Sequence, residues 1–312
     1  MAEAASFLLN EELVAIPTET VYGLAGNALN AAVVLKIFEA KERPSFDPFI
    51  VHIPSKEVAL LYAKDVPPVA LMLMEAFWPG PLTLVLKKKS IIPDVVTSGL
   101  DTVGLRMPNH PMTLALLNTI DFPLAAPSAN PFGYISPTTA QHVVDQLHSK
   151  IAMVLDGGAC TVGVESTIVG FENGETVIYR LGGLTLEDIR KVAGDVVVCV
   201  NSSSDPKAPG MLKSHYAPSK PLYISNDLNS LIKINENYRL AVICFGNVKI
   251  NEQHAVYNLS VKSDFKEAAS NLFSFLRAID QRNDIDVIVA ALLPEANLGY
   301  AINDRLWRAA VK

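Results

Sequence analysis

The stretch from Pro17 to Ile53 constrains the fold of this chain more than any other. An apolar run, Leu13–Ile16, meets Pro17, and a strand cannot easily continue through a residue with no N–H to donate. The loop that must follow carries Thr18, Glu19, Thr20 and Tyr22 and closes with Gly23, which can bring backbone close to a ligand. Asn30 then reads as a helix N-cap, with Val33, Val34, Ile37 and Phe38 on one face. Pro44 ends that helix, and a strand over residues 49–53 begins soon after. Strand, polar loop, helix and strand in close succession mark an α/β protein with a small polar ligand in view.

Two cations and an imidazole sit at the end of this stretch. Lys41 and Arg43 fall at or just past the helix C-terminus, where they complement the helix dipole or serve a ligand. His52 lies among apolar neighbours in the next strand. Further on, residues 102–107 alternate, which puts Thr102, Gly104 and Arg106 on one strand face. An Arg beside a Gly and a Thr has room above it for a carboxylate or phosphate, which its planar fork binds bidentately.

The remaining elements follow from local signals. Helices are expected from Ser55, from about Val66 to Phe77, and from about 139 to Leu147, the last with Ser136 or Thr138 as its cap. Leu82–Leu86 reads as a strand whose end bears the solvated run Lys87–Lys89. Ser128 follows a short apolar strand, at the kind of strand end where α/β proteins hold ligands. Ser166 and Thr167 add adjacent hydroxyls, and Asn173–Gly174 turns a hairpin whose second strand delivers Arg180 before Gly182. Thr185 with Asp188 opens a helix, and residues 196–200 give a last strand of the first unit.

Residues 201–219 are rich in Ser and Pro, yet Met211, His215 and Tyr216 stand between Pro209 and Pro218. A mere tether needs none of them, so the segment is expected to pack as a lid. Beyond it, strands over 222–224, 240–245 and 287–290, with an amphipathic helix from Phe265 to Ile279 and a closing helix around Tyr300–Trp307, form a smaller αβ unit. The domains are thus 1–200, a 201–219 linker, and 220–312.

Composition limits the function classes. The chain is 312 residues long and half hydrophobic, enough for a sizeable core in two domains. No apolar run approaches the ~18 residues of a membrane span, and the start lacks the basic region of a signal peptide. A cytoplasmic location is expected. Three scattered cysteines, Cys160, Cys199 and Cys244, are expected to be packing residues in a reducing compartment. Residues 1–205 hold 13 Lys+Arg against 22 Asp+Glu, and residues 206–312 hold 13 against 10. An acidic first unit argues against gripping nucleic acid through phosphates alone. Three of its four arginines, Arg43, Arg106 and Arg180, nevertheless fall in the motifs above.

Thr-Glu-Thr-Val-Tyr-Gly-Leu followed by Lys-x-Arg-Pro resembles the YrdC-like domain, and the whole chain resembles the long, two-domain threonylcarbamoyl-AMP synthase family. The resemblance implies a twisted mixed-sheet YrdC-like domain, an ordered linker and a smaller αβ C-terminal domain. It implies an enzyme that condenses L-threonine, bicarbonate and ATP, with Mg²⁺, to threonylcarbamoyl-AMP and pyrophosphate. A tRNA threonylcarbamoyl transferase complex then takes the product. By the same resemblance Thr20, His52, Arg106, Ala126 and Ser166 match threonine contacts. Lys41, Arg43, Asp47, Thr102, Ser128, Ser136 and Arg180 match the neighbourhood of ATP, Tyr216 closes over the nucleotide, and Lys41 with Arg43 neutralises the leaving group. No protein-held metal site is implied.

One departure concerns Asp47, where the family often has Asn. A carboxylate cannot donate to a phosphate, so Asp47 is expected to hold Mg²⁺ or Lys41 if it does not meet the nucleotide. The rival to the enzyme is a non-catalytic module for double-stranded RNA, since YrdC-like domains present a concave face; weak RNA contact fits either reading. Carbamoyl transfer of the hydrogenase-maturation kind would bring zinc-binding and acylphosphatase-like segments, which are absent from the sequence.

Overall fold

The computed structural model describes residues 1–44, 47–199, 215–251 and 253–310. Helix α1 (Ala2–Leu9) leads into β1 (Val14–Ile16) and β2 (Gly23–Asn27). Helix α2 (Ala31–Lys41) starts where the Asn30 side chain accepts from the N–H groups of Ala32 and Val33, and it buries Val33, Val34, Ile37 and Phe38. Then come β3 (Ile50–His52), α3 (Lys56–Tyr62), α4 (Pro68–Phe77), β4 (Leu82–Lys87), β5 (Thr102–Arg106), α5 (Pro111–Leu117), β6 (Leu124–Ala125), α6 (Ala140–Leu147) and β7 (Met153–Val154). The hairpin β8 (Thr167–Glu172) and β9 (Glu175–Arg180), α7 (Leu186–Ala193) and β10 (Val196–Val198) complete the first unit. Its turn is the expected one, with Asn173 at φ 51° and Gly174 at φ 84°.

These strands form one mixed ten-stranded sheet in the order β10-β9-β8-β4-β5-β3-β6-β2-β1-β7. On one face Leu24, Val51, Leu84 and Leu105 join the apolar sides of α2 and α4 in the main core. On the other, α1 and α5 cover Val14, Ile16 and Leu124 near the β7 end, and Ile50, Val85, Ile168 and Val177 cluster toward the β10 end. The strip between those two clusters is left for polar side chains.

The second unit runs β11 (Leu222–Ser225), α8 (Leu228–Ile234), β12 (Leu240–Cys244), β13 (Ala255–Asn258), α9 (Phe265–Asp280), β14 (Val287–Ala291) and α10 (Gly299–Ala310). Its four strands are all parallel, in the order β11-β14-β12-β13. The units share an apolar cluster in which Val21, Ile135 and Val164 of the first meet Tyr216, Phe273, Leu276 and Leu306. Arg277 of α9 reaches across to the carbonyls of Ile135 and Ser136 and lies 5.1 Å from the Tyr134 ring centre. No helix among the described residues is long and apolar enough to cross a membrane.

Several details differ from expectation. Helix α4 begins at Pro68 rather than near Val66, because proline at N1 tolerates a missing N–H while the residue before it disfavours helical backbone. The cap of α6 is Thr139, not Ser136 or Thr138. The Ser136 hydroxyl bonds Glu165, and Thr138 bonds His142 and Ser274. Strand β4 is interior to the sheet, and the lysine run at its end is tied down: Lys87 pairs with Asp65, Lys88 with Asp94, and Lys89 donates to the Leu60 carbonyl. Cys160 and Cys244 are buried but Cys199 is exposed, so it is not a packing residue. Helix α8 and strand β13 had no expectation; both are short and largely solvent-facing, which weakens their apolar periodicity. Of the 201–219 linker expected to pack as a lid, residues 201–214, including Pro209 and Met211, lie outside the described residues.

Candidate active site

On the polar strip of the large sheet, residues from seven separate segments enclose a cavity with about 50 Å³ of open space. Strand pairing sets its floor: His52 of β3 stands in register with Arg106 of the parallel β5, and Ala126, just past the antiparallel β6, donates its N–H to the Ile50 carbonyl on the other side of β3. Thr18, Gly23, Ser128, Ser166 and Arg180 add polar wall, Arg43 and Pro48 enter from the loop after α2, and His215 with Tyr216 closes the cavity. Gly182 makes the junction at Ser166 possible. A Cβ there would stand 2.3 Å from the Glu165 carbonyl oxygen and 2.5 Å from the Thr167 nitrogen.

The cations are desolvated and held. Arg106 is in ion-pair contact with Glu19 at 2.7 Å, and its Nε points to the Gly80 carbonyl. Arg180 donates to the Ser166 carbonyl at 2.9 Å and to its hydroxyl at 3.2 Å. Arg43 pairs with Asp47 at 2.8 Å, donates to the Pro48 carbonyl at 2.9 Å and stacks 5.0 Å from the Phe49 ring centre. Burial lowers the pKa values of Arg43 and Arg180. It also drives Lys41 well below the ordinary lysine value, with Arg43 adding to the effect.

The imidazoles stay neutral. Burial first, and then Arg106, pushes His52 down to about 3. Burial likewise takes His215 to about 3, with the nearby Glu165 opposing and Arg43, Lys41 and Arg180 reinforcing the fall. The Nδ1 atoms of both rings are buried without a hydrogen-bond partner among the described residues. Burial raises the Tyr216 hydroxyl to about 12.

Of the residues singled out from the sequence, His52, Arg106, Ala126, Ser166, Arg43, Ser128, Arg180 and Tyr216 converge on this one cavity. Others stand behind or beside it. Thr20 is buried and bonds Thr18, and Thr18 is the one that lines the cavity. Lys41 donates to the carbonyls of Ser128 and Asn130, so it shapes the wall. Asp47 is fully buried against Arg43, not Lys41, and burial raises its carboxyl pKa against the pull of Arg43 and Lys41. Ser136 sits beneath Glu165. Thr102 lines a separate small recess with Pro48 and Gly104.

Three polar residues that were not assigned to the site from the sequence also line the cavity: Thr18, Glu165 and His215, the last from the segment expected to act as a lid. The Glu165 carboxylate accepts from Ser136 at 2.5 Å and from Arg305 at 3.1 Å. Its only trace in the sequence is a lone charge inside the run Val164–Ile168. Among the described residues no group of three or more His, Cys, Asp or Glu side chains could hold a metal ion. A cavity rich in guanidinium and hydroxyl donors, with neutral imidazoles and an apolar corner at Ala126, suits an anionic amino acid and phosphate oxygens.

Known proteins match the chain along nearly its whole length. Residues 6–182 match a family model described as Telomere recombination, which covers the Sua5, YciO and YrdC proteins. Residues 184–311 match one described as the C-terminal domain of threonylcarbamoyl-AMP synthase. The chain is 42% identical to the threonylcarbamoyl-AMP synthase of Pyrococcus abyssi, over 98% of this chain and 93% of that one. It is 41% identical to the synthase of Bacillus subtilis, over 99% and 92%. The crystal structure of P. abyssi Sua5 complexed with L-threonine superposes with a TM-score of 0.92 at 42% identity, covering 99% of this chain and 93% of that one.

Proposed function

Because the chain belongs over its full length to the Sua5 family, we propose that it condenses L-threonine, bicarbonate and ATP to threonylcarbamoyl-AMP and pyrophosphate. The observation that carries this reading is the convergence of Arg43, Arg106 and Arg180 on one small cavity beside a neutral His52 and an apolar Ala126. Arg106 takes the amino-acid carboxylate, and Glu19 on its far side keeps the guanidinium in place. Ala126 and His52 receive the methyl and hydroxyl of the side chain. The threonine amine attacks bicarbonate carbon and water leaves, giving a carbamate. A carbamate oxygen then attacks the α-phosphorus, the bond to the bridging oxygen breaks, and pyrophosphate departs.

Catalysis of this kind is mainly positioning and charge neutralisation. Arg43 and Arg180 face the phosphates, while Lys41 fixes the Ser128–Asn130 wall through its two carbonyl contacts. Mg²⁺ is proposed to arrive on the nucleotide phosphates rather than in a cage, because the buried carboxylates at the site, Asp47, Glu19 and Glu165, are each paired with an arginine. A 50 Å³ space is far below the ~300 Å³ and more of typical ligand pockets, so His215 and Tyr216 must move to admit ATP and close again over the reactive anhydride. The product is proposed to pass to a tRNA threonylcarbamoyl transferase complex in the cytoplasm.

Pyrophosphate release from ATP, with threonine and bicarbonate omitted in turn, tests the reading. Release that requires both supports it, and equal release without any amino acid refutes it.

A further inference from the structure

We infer that Arg305, on the last helix, is a positioning residue for the nucleotide side of the cavity: it keeps the Glu165 carboxylate from occupying Arg180 and backs the Tyr216 ring. This inference rests on the adenylate-forming reading above. Arg305 is fully buried. Its Nε donates to Glu165 at 3.1 Å, its Nη1 to the Leu181 carbonyl and to Asp304, and its Cζ lies 5.5 Å from the Tyr216 ring centre. One guanidinium from the second unit therefore touches the cavity wall, the end of β9 and the closing segment together.

Domain docking does not call for such a group. Desolvating two charges takes back most of what their attraction supplies, and well-packed apolar side chains of similar volume commonly do as well or better. The same helix already offers Ile302 and Leu306 to the shared apolar cluster. What the charge does accomplish lies in the cavity. Glu165 lines it with Arg43 and Arg180, and a bare carboxylate there would repel phosphate oxygens and compete for the guanidinium meant for them. Ser136 holds one oxygen of Glu165 and Arg305 the other, so each carboxylate oxygen already has a partner other than Arg180. The next turn of α10 adds a second hold, because the Arg308 carbonyl accepts from the His215 N–H at 3.3 Å. Asp304 bonds both Arg305 and Arg308 and locks the pair.

A double-mutant cycle on the full chain tests this. ATP dissociation constants would be measured by calorimetry for wild type, Arg305→Met, Glu165→Gln and the double variant, with threonine affinity and melting temperature measured on each. Arg305→Met should weaken ATP about tenfold in the wild-type background and less than about threefold once Glu165 is Gln, a coupling within the usual range for residues of one network. Arg305→Lys, which keeps the charge, should fall between wild type and Arg305→Met and stands in should the Met variant not fold. Equal losses in both backgrounds, with threonine affinity and melting matched between them, would overturn the inference and leave Arg305 a docking residue. Because the readout is ATP affinity, a chain that binds ATP but shows no threonine-dependent turnover would refute the proposed function separately.

Discussion

Around the cavity of the ten-stranded sheet, Arg43, Arg106 and Arg180 are each less than a tenth exposed and direct their N–H groups to backbone carbonyls, a serine hydroxyl or one buried acid. On the rim of the four-stranded sheet, Arg239 and Arg282 face water and bond Asp286 and Asp284 through two nitrogens each. By geometry alone the rim pairs are better made. Water decides the difference: an exposed pair gains little because solvent screens it, whereas a desolvated guanidinium acts at low dielectric on whatever anion reaches it. Two-nitrogen pairing therefore marks these surface arginines of the second unit, and desolvated cations mark the site.

The sharpest way to break this contrast is Arg43→Met. Turnover should fall about a hundredfold or more, the range for lost transition-state charge contacts. Stability should fall too, because Asp47 is left buried beside no partner, at a cost of about 3–5 kcal/mol. Adding Asp47→Asn should recover the melting temperature and leave turnover low. Normal turnover in the pair would put Arg43 on the same footing as Arg239.

A smaller effect concerns what the cavity reads besides charge. Serine should replace threonine with lower kcat/KM, since a methyl lost from a pocket is worth about 1–3 kcal/mol. Equal rates for the two amino acids would mean that Ala126 does not face the side chain.

Acid should separate the regions as well. His52 and His215 are held near 3 and His142 near 4, against an ordinary value of 6.5. Folded pKa values below the unfolded one mean that the unfolded chain binds more protons in this window. Stability is then fully present above about pH 6.5 and drains as pH falls toward 4 and 3, each histidine contributing about 1.4 kcal/mol per pH unit while it differs in charge. Melting curves between pH 7 and 5 should show this slope, and His52→Gln should reduce it. A slope unchanged by that substitution would mean that the imidazole is not buried neutral.

The smallest expected effect is none. Arg239→Ala and Arg282→Ala should leave both turnover and melting temperature at the wild-type value. A measurable loss of turnover in either would show that the second unit communicates with the cavity through its surface.

Local chemistry accounts for what could be read ahead of the structure. Asn30 caps a helix and Asn173–Gly174 turns a hairpin through their own backbones, and the two-residue period that aims Arg106 upward also puts Leu105 in the core. Thr20 and Thr18 are two apart on a loop, where no period chooses between them, so only the coordinates show which one faces the cavity. Ser136 could not be told from a helix cap because its partner Glu165 is 29 positions away. Asp47 posed the same difficulty at closer range: the sequence offered Lys41 as its neighbour, yet the turn after α2 gives it Arg43.

Arg305 and Glu165 are separated by 140 positions, and that spacing has a consequence for the order of events during synthesis. A ribosome adding roughly 5–20 residues per second, with domains folding N-terminal first, makes all ten strands of the large sheet well before it reaches α10. For several seconds Glu165 waits without its guanidinium and the closing segment without its anchor. On the inference drawn for Arg305, the nucleotide side of the pocket is completed only once α10 has been made, and a chain cut short before α10 is left with an unfinished pocket.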